Sequence, residues 1–166
     1  MICLDRRVRK MSIERARAYL ETCGVSDRIQ EFDTSSATVE LAAQALHTQG
    51  CRIAKTLSFA VEERAVLIVC AGDTKIDNAK YKAFFHTKAK MLAPDEVERR
   101  IGHAVGGVCP FGIEDGVEVY LDESLKRFET VFPACGSSNS AIELTISELE
   151  QFAKPLAWTN VCKIAG

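Results

Sequence analysis

Residues 51–71, CRIAKTLSFAVEERAVLIVCA, set two apolar, β-rich runs on either side of an acidic break at Glu62-Glu63, and few folds accommodate that arrangement. Runs of Ile, Leu, Val, Phe and Thr bounded by a polar turn are strand signals, and a connection this short joins antiparallel neighbours. The spacing predicts strands over 51–61 and 65–71. Every second residue of the first run gives Cys51, Ile53, Lys55, Leu57, Phe59 and Val61; the other parity gives Arg52, Ala54, Thr56, Ser58, Ala60 and Glu62. Lys55 therefore shares the apolar face. An unpartnered ammonium there loses several kcal/mol of hydration. Lys55 either meets an anion in an open pocket, snorkels to solvent from a strand end, or pairs with an internal carboxylate such as Glu143.

The rest of the chain frames this hairpin with alternating helices and strands. Ser12 is positioned to cap a helix to about Thr22, with Ile13, Ala16, Tyr19 and Leu20 at helical spacing and Gly24 beyond its end. A strand is expected over 28–33, and Thr38 caps a helix over 39–48. Asp77 starts a helix to about Phe85, and Pro94, in a first turn, starts another to about Ile101. Strands follow over 117–121, 130–134 and 141–145, then a helix over 147–152 and a last strand over 158–163. The pattern is mixed α/β with a largely antiparallel sheet, not the regular strand-helix alternation of a doubly wound fold.

At 166 residues and 47% hydrophobic content, the chain fills the core of one domain. Residues 1–11 are set apart as an N-terminal extension, either dispensable or an over-called start, and 12–166 form the domain. The seven cysteines lie far apart, with no C-x-x-C pair and no histidine cluster, so neither a zinc site, another metal centre nor a disulfide framework is signalled. Free thiols in odd number suggest a reducing cytoplasm. No signal peptide or membrane segment is read. The net charge of −2 is uneven: Lys75, Lys80, Lys82, Lys88 and Lys90 face one acid, Asp77, whereas 114–150 is rich in Glu and Asp. These runs are either solvated faces or, around Tyr81, Phe84 and Phe85, a local basic patch for a phosphate backbone.

Two loops stand out. Residues 102–112 hold Gly102, Gly106, Gly107 and Gly112 together with Pro110, a backbone suited to close approach to a ligand. The same loop carries His103 and Cys109, the material of a thiol hydrolase with a Gly-Gly oxyanion hole, although no third orienting group is evident. The second loop, ACGSSNS over 134–140, is either a simple turn or the wall of a polar pocket.

Together, Ala54-Lys55-Thr56-Leu57, the loop from Gly106 to Gly112, and Gly136-Ser137-Ser138 leading into Ala141-Ile142-Glu143-Leu144 resemble, in order and spacing, the YbaK/prolyl-tRNA synthetase-associated domain family. The resemblance covers roughly residues 12–165. It implies a single α/β domain whose mixed sheet curls into a partial barrel, and a trans-editing activity: hydrolysis of the ester of mischarged aminoacyl-tRNA, without a cofactor. Lys55 then helps hold the 3′ acceptor end, and the backbone at Gly106 and Gly107 approaches the terminal adenosine and ester, where amides stabilise oxyanion charge. The remaining expected substrate contacts are Phe32, Thr34, His103, Pro110, Gly112, Gly136, Ser137 and Ser138. Where the cysteinyl-specific branch carries serine and aspartate, this chain has Ala134 and Ala141, and the alanyl-specific histidine-proline signature is missing. The implied substrate is therefore a small amino acid of unspecified identity. A module that binds tRNA or a synthetase without hydrolysis is the alternative.

Overall fold

The computed structural model describes residues 2–165, with side chains from Ser12 onward; expectations for the side chains of the basic N-terminal decapeptide, Cys3 among them, lie outside the described residues. At its centre is the expected hairpin, β2 (Ile53–Val61) and β3 (Arg64–Ala71), antiparallel from Ala54↔Ala71 to Val61↔Arg64. The turn is tight enough to hold Glu62 at a left-handed φ of 57°. β3 is buried from Ala65 to Ala71, and its apolar run lacks polar alternation because both faces are covered.

Five pairings build the main sheet, in the order β8-β6-β2-β3-β5-β9. Its further members are β5 (Glu118–Asp122), β6 (Thr130–Pro133), β8 (Leu144–Thr145) and β9 (Ala157–Thr159). β6 joins β2, β5 joins β3 and β9 joins β5 in parallel, while β8 joins β6 antiparallel. The sheet is mixed, with three of its five joins parallel where a largely antiparallel sheet was expected, and it curls into a half-barrel with five helices around it, one domain as expected.

Each face has its own layer. Ala54, Leu67, Val69, Val119 and Leu121 meet α1 (Ile2–Thr22), α4 (Pro94–Ile101), α5 (Ile146–Ala153) and the glycine loop through Leu20, Ile101, Phe152 and Phe111. On the opposite face Phe59, Val66, Ile68 and Tyr120 meet α3 (Asn78–Phe85) through Tyr81 and Phe85, with ring centroids 4.7–5.3 Å apart. Such aromatic pairs add about 1 kcal/mol each beyond their area burial. The strand β4 (Thr74–Ile76) and β10 (Cys162–Ile164) pair antiparallel and complete this second layer.

Caps explain most boundaries. Thr38 accepts from Leu41 N–H at the start of α2 (Val39–Leu46), Asp77 accepts from Ala79 and Lys80 N–H, and Thr145 with Glu148 forms a capping box on α5. Ser12 does not cap, because α1 runs through it from Ile2; its hydroxyl turns inward instead. The predicted strand over 28–33 shortens to β1 (Gln30–Glu31), paired with β7 (Ser140–Ala141). The stretches expected as single strands over 141–145 and 158–163 each divide between two sheets. The second division is held by buried Asp122, whose carboxylate accepts Val161 N–H at 2.9 Å as the chain crosses from β9 to β10.

Candidate active site

β2 is paired with β6 only at Ile53 and Ala54, and its outer edge is next engaged at Phe59, which bridges Met91; Leu92 N–H donates to Ser58 O, and Ala60 N–H to Lys90 O. Between those points the strand edge is open and borders a cavity of about 420 Å³, within the range of small-molecule sites. α2 and the residues before it close one side, the 105–108 stretch another, and Ala134 and Ala141, themselves bridged, a third. The lining is largely apolar. Lys55 is its one ionisable residue: the wall contains no carboxylate, imidazole or thiol among the described residues.

Lys55 is half-buried, and its Nζ donates to the carbonyl oxygen of Thr74 in β4. A neutral acceptor leaves the charge without an ion pair among the described residues; Asp73, whose carboxylate feels the Lys55 charge, is itself paired with Arg127 at 2.6 Å. The carboxylate considered as its partner is engaged elsewhere: Glu143 Oε2 accepts from Arg52 at 3.2 Å and from Thr130 Oγ1 at 2.6 Å. Beside Lys55, Thr56 Oγ1 is buried with no hydrogen-bond partner among the described residues.

The glycine loop contributes less to this wall than its sequence suggests. Val105, Gly106 and Val108 line the cavity. Gly106, at φ 92°, has room around it: an added Cβ would meet Ser138 Cβ at 3.4 Å. Gly107 is buried against the second loop, where a Cβ would stand 2.5 Å from Gly136 C and Ser137 N, and its own N–H closes onto Ala104 O at 3.0 Å. Its amide is thus committed within the loop. Gly112 and Gly136 pack on α1, against the backbones of Arg15 and Ser12. These three positions need glycine so that backbone can approach backbone, and they lie outside the cavity lining.

Other expected contacts are also displaced. Pro110 is buried in the scaffold. Ser137 is buried and bonds Asn139 at 2.9 Å and Ser140 Oγ at 2.7 Å. Ser138 presents its carbonyl to Ser36. Phe32 exchanges two 2.8 Å hydrogen bonds with Asn139, and Thr34 is exposed nearby, both beside the lining rather than in it. The following residues, Ser36 to Val39, form the wall, and so do Met91 and Val97. In the sequence Thr38 was legible as a cap; its place at the cavity follows from α2 docking beside Ile53 and Phe132. Met91 carried no such signal in the sequence; its 57% exposure at the cavity emerges only from the fold.

His103 and Cys109 do meet, at 3.5 Å, but in the fully buried interior. Phe111 O lies 2.6 Å from His103 Nε2, and a carbonyl only accepts, so Nε2 carries the proton and Nδ1 accepts from the Ser12 hydroxyl at 2.8 Å. In that tautomer the imidazole nitrogen facing the thiol cannot take its proton. Burial pushes the Cys109 thiol up to about 12 and lowers His103 to about 4, away from the thiolate and imidazolium a thiol hydrolase requires. The pair ties α1 to the glycine loop and is not a nucleophilic centre.

Of the interleaved aromatics in the lysine run, Tyr81 and Phe85 are core, and Phe84 is 40% exposed. No helix among the described residues is long and apolar enough to cross a membrane.

Comparison with known proteins bears on this geometry. Residues 33–152 match the model of the aminoacyl-tRNA editing domain. The chain is 53% identical over 154 residues to the uncharacterized protein YwhH of Bacillus subtilis (strain 168), covering 92% of this chain and 98% of YwhH. It is 36% identical over 73 residues to the proline-tRNA ligase of the same organism, where the shared stretch is 13% of the ligase and 43% of this chain. A crystal structure described as that of a candidate trans-editing enzyme for prolyl tRNA synthetase superposes with a TM-score of 0.82 at 29% identity, over 93% of this chain and 98% of the other. On the matched length and the shared architecture, the chain belongs to the aminoacyl-tRNA editing domain family.

Proposed function

We propose that this protein is an aminoacyl-tRNA deacylase that hydrolyses the ester linking a small amino acid to the 3′ end of mischarged tRNA, in the cytoplasm and beside prolyl-tRNA synthetase. The observation that carries the reading is the cavity itself: one unneutralised ammonium, Lys55, at an open strand edge, opposite an apolar floor at Ala134 and Ala141. An anionic 3′ end satisfies the ammonium, and a short apolar side chain suits the floor. Water attacks the ester carbonyl carbon, the bond to the ribose oxygen breaks, and the proton passes to that oxygen, releasing the amino acid and intact tRNA. Gly106, whose N–H has no acceptor among the described hydrogen bonds, is a backbone donor available to the oxyanion, while Gly107 shapes the loop. Among the described residues the wall offers Ser and Thr hydroxyls but no carboxylate, imidazole or thiol to act on them as general base, which favours a water positioned by backbone and substrate groups.

The test is deacylation of a panel of mischarged tRNAs. Wild type is expected to discharge small amino acids and spare prolyl-tRNA. Lys55→Ala is expected to lower kcat/KM by about 100-fold with the fold intact, as loss of a positioned charge does; unchanged hydrolysis removes the lysine from the mechanism. Cys109→Ser is expected to keep turnover within a fewfold of wild type, whereas abolition would reinstate the thiol hydrolase. Binding of tRNA without ester loss across the panel would leave a non-catalytic module.

A further inference from the structure

The layer that covers one face of the sheet is also a charged surface. Residues 74–91 and 160–165, which form β4, α3, the stretch leading to Met91, and β10, carry Lys75, Lys80, Lys82, Lys88, Lys90 and Lys163 against a single acid, Asp77, in a chain of net charge −2. All six lysines are exposed. Among the described residues every ion pair is made by an arginine: Arg15, Arg17, Arg28, Arg52, Arg64, Arg100 and Arg127 each meet a carboxylate within 4 Å, and no lysine does. Lys80 donates to Asn160 and to Cys162 O, both neutral. Asp77, the one acid, caps α3 through the Ala79 and Lys80 N–H groups and also feels the charges of Lys163 and Lys80, leaving one carboxylate against six ammonium groups.

Two features distinguish this layer from an ordinary solvated face. Lys75 and Lys163 stand directly opposite each other in the β4–β10 ladder, where like charges destabilise the pairing. The layer also touches the cavity at two points: Thr74 O holds Lys55 Nζ, and Met91, beside Lys90, forms part of the wall. The positive surface therefore begins at the mouth of the cavity and extends along α3, whose eight residues span about 12 Å. That length, at one negative charge per 1.7 Å or so of duplex axis, matches several phosphates.

We propose that this lysine layer is the docking surface for the phosphodiester backbone of the tRNA acceptor stem, holding the duplex while the 3′ end enters the cavity. The inference rests on the deacylase reading for its partner, but it concerns binding and not hydrolysis. Phosphates seated between Lys75 and Lys163 relieve their repulsion, which accounts for the retention of both.

Binding of an unacylated proline tRNA transcript and of the trinucleotide CCA is measured over a salt series. Lys82→Glu/Lys88→Glu is expected to weaken tRNA binding by about tenfold at low salt and to reduce the slope of log K against log salt by about 2, since each phosphate contact contributes about 0.9. Affinity for CCA is expected to stay the same. The charge-matched control Lys126→Glu/Lys154→Glu, at lysines seated over Trp158 and Tyr19, is expected to retain tRNA binding. Unchanged tRNA affinity and slope in the first variant, or an equal loss in the control, overturns the proposal. Lys163→Glu gives an independent reading: it faces Lys75, so stability is expected to hold or rise while tRNA binding falls, and a rise in stability with undiminished binding also overturns it. Weakened tRNA binding by a protein that hydrolyses no ester would keep this surface and remove the deacylase reading; hydrolysis with unaltered tRNA affinity would do the reverse.

Discussion

The glycine loop and the open edge of β2 are the two most conspicuous segments of this sequence, and the structure uses them in opposite ways. Along 102–112, His103, Cys109 and Phe111 are fully buried, and Gly107 and Gly112 exist to let backbone approach backbone. Along Lys55 and Thr56, at the cavity wall, the ammonium has only the neutral carbonyl of Thr74 as hydrogen-bond acceptor and the threonine hydroxyl has no partner among the described residues. One region is constrained because it is tightly packed, the other because it is left unsatisfied. A conspicuous sequence thus signals constraint, and only the satisfaction of polar groups tells a scaffold from a site.

The sharpest way to break this contrast is at the glycines. Gly136→Ala overlaps the Ser12 backbone and places alanine at φ 91°, so we expect a loss of about 3 kcal/mol or more in urea unfolding, from overpacking plus left-handed strain. Gly106→Ala, with its nearest neighbour at 3.4 Å, is expected to cost about 1 kcal/mol. Equal losses at the two positions would erase the distinction between scaffold and wall.

A pH series sharpens it further. His103 is held neutral in the fold, its pKa lowered to about 4 from 6.5 mainly by burial. Above about 6.5 both states are neutral and its contribution is fully present; as pH falls from there to about 4 the unfolded chain binds a proton that the folded one refuses, so stability declines. The complete loss is about 3.5 kcal/mol at most. His103→Gln is expected to lower stability at neutral pH and flatten that decline; an unaltered pH profile would show that the loop histidine is not the buried hub described.

The smallest effect lies at the cavity wall. Thr56 Oγ1 is buried without a partner among the described residues, so Thr56→Val removes an unsatisfied hydroxyl at nearly constant volume and is expected to be neutral or stabilising by up to about 1 kcal/mol in thermal unfolding. A clear destabilisation would mean that the hydroxyl is satisfied within the fold.

Much of the architecture was legible in the chain, because its signals are local. The β2–β3 hairpin, the Thr38 and Asp77 caps and the Pro94 start of α4 all depend on residues within a few positions of one another. Two kinds of feature escaped. Strands that change sheets, such as the stretch dividing into β9 and β10, look continuous in sequence, because the buried Asp122 carboxylate that redirects the chain lies 39 residues from Val161. Ser12 had the sequence of a cap and serves as the hydrogen-bond donor to His103, 91 residues away. At the site, the exceptional parity of Lys55 was visible, whereas the Ser36 to Val39 and Met91 walls depend on which elements dock beside β2.

The sequence by itself determined the hairpin, most helix boundaries, the Lys55 anomaly and the excess of lysine over 75–90, since periodicity, capping and charge are properties of neighbouring residues. Only the tertiary structure decided that Gly107, Gly112 and Gly136 serve packing, that Cys109 and His103 are sealed from solvent, and that the lysine run adjoins the cavity. Burial and close backbone approach are set by segments far apart in the chain, and desolvation, which raises the Cys109 thiol and lowers His103, acts only once those segments have come together.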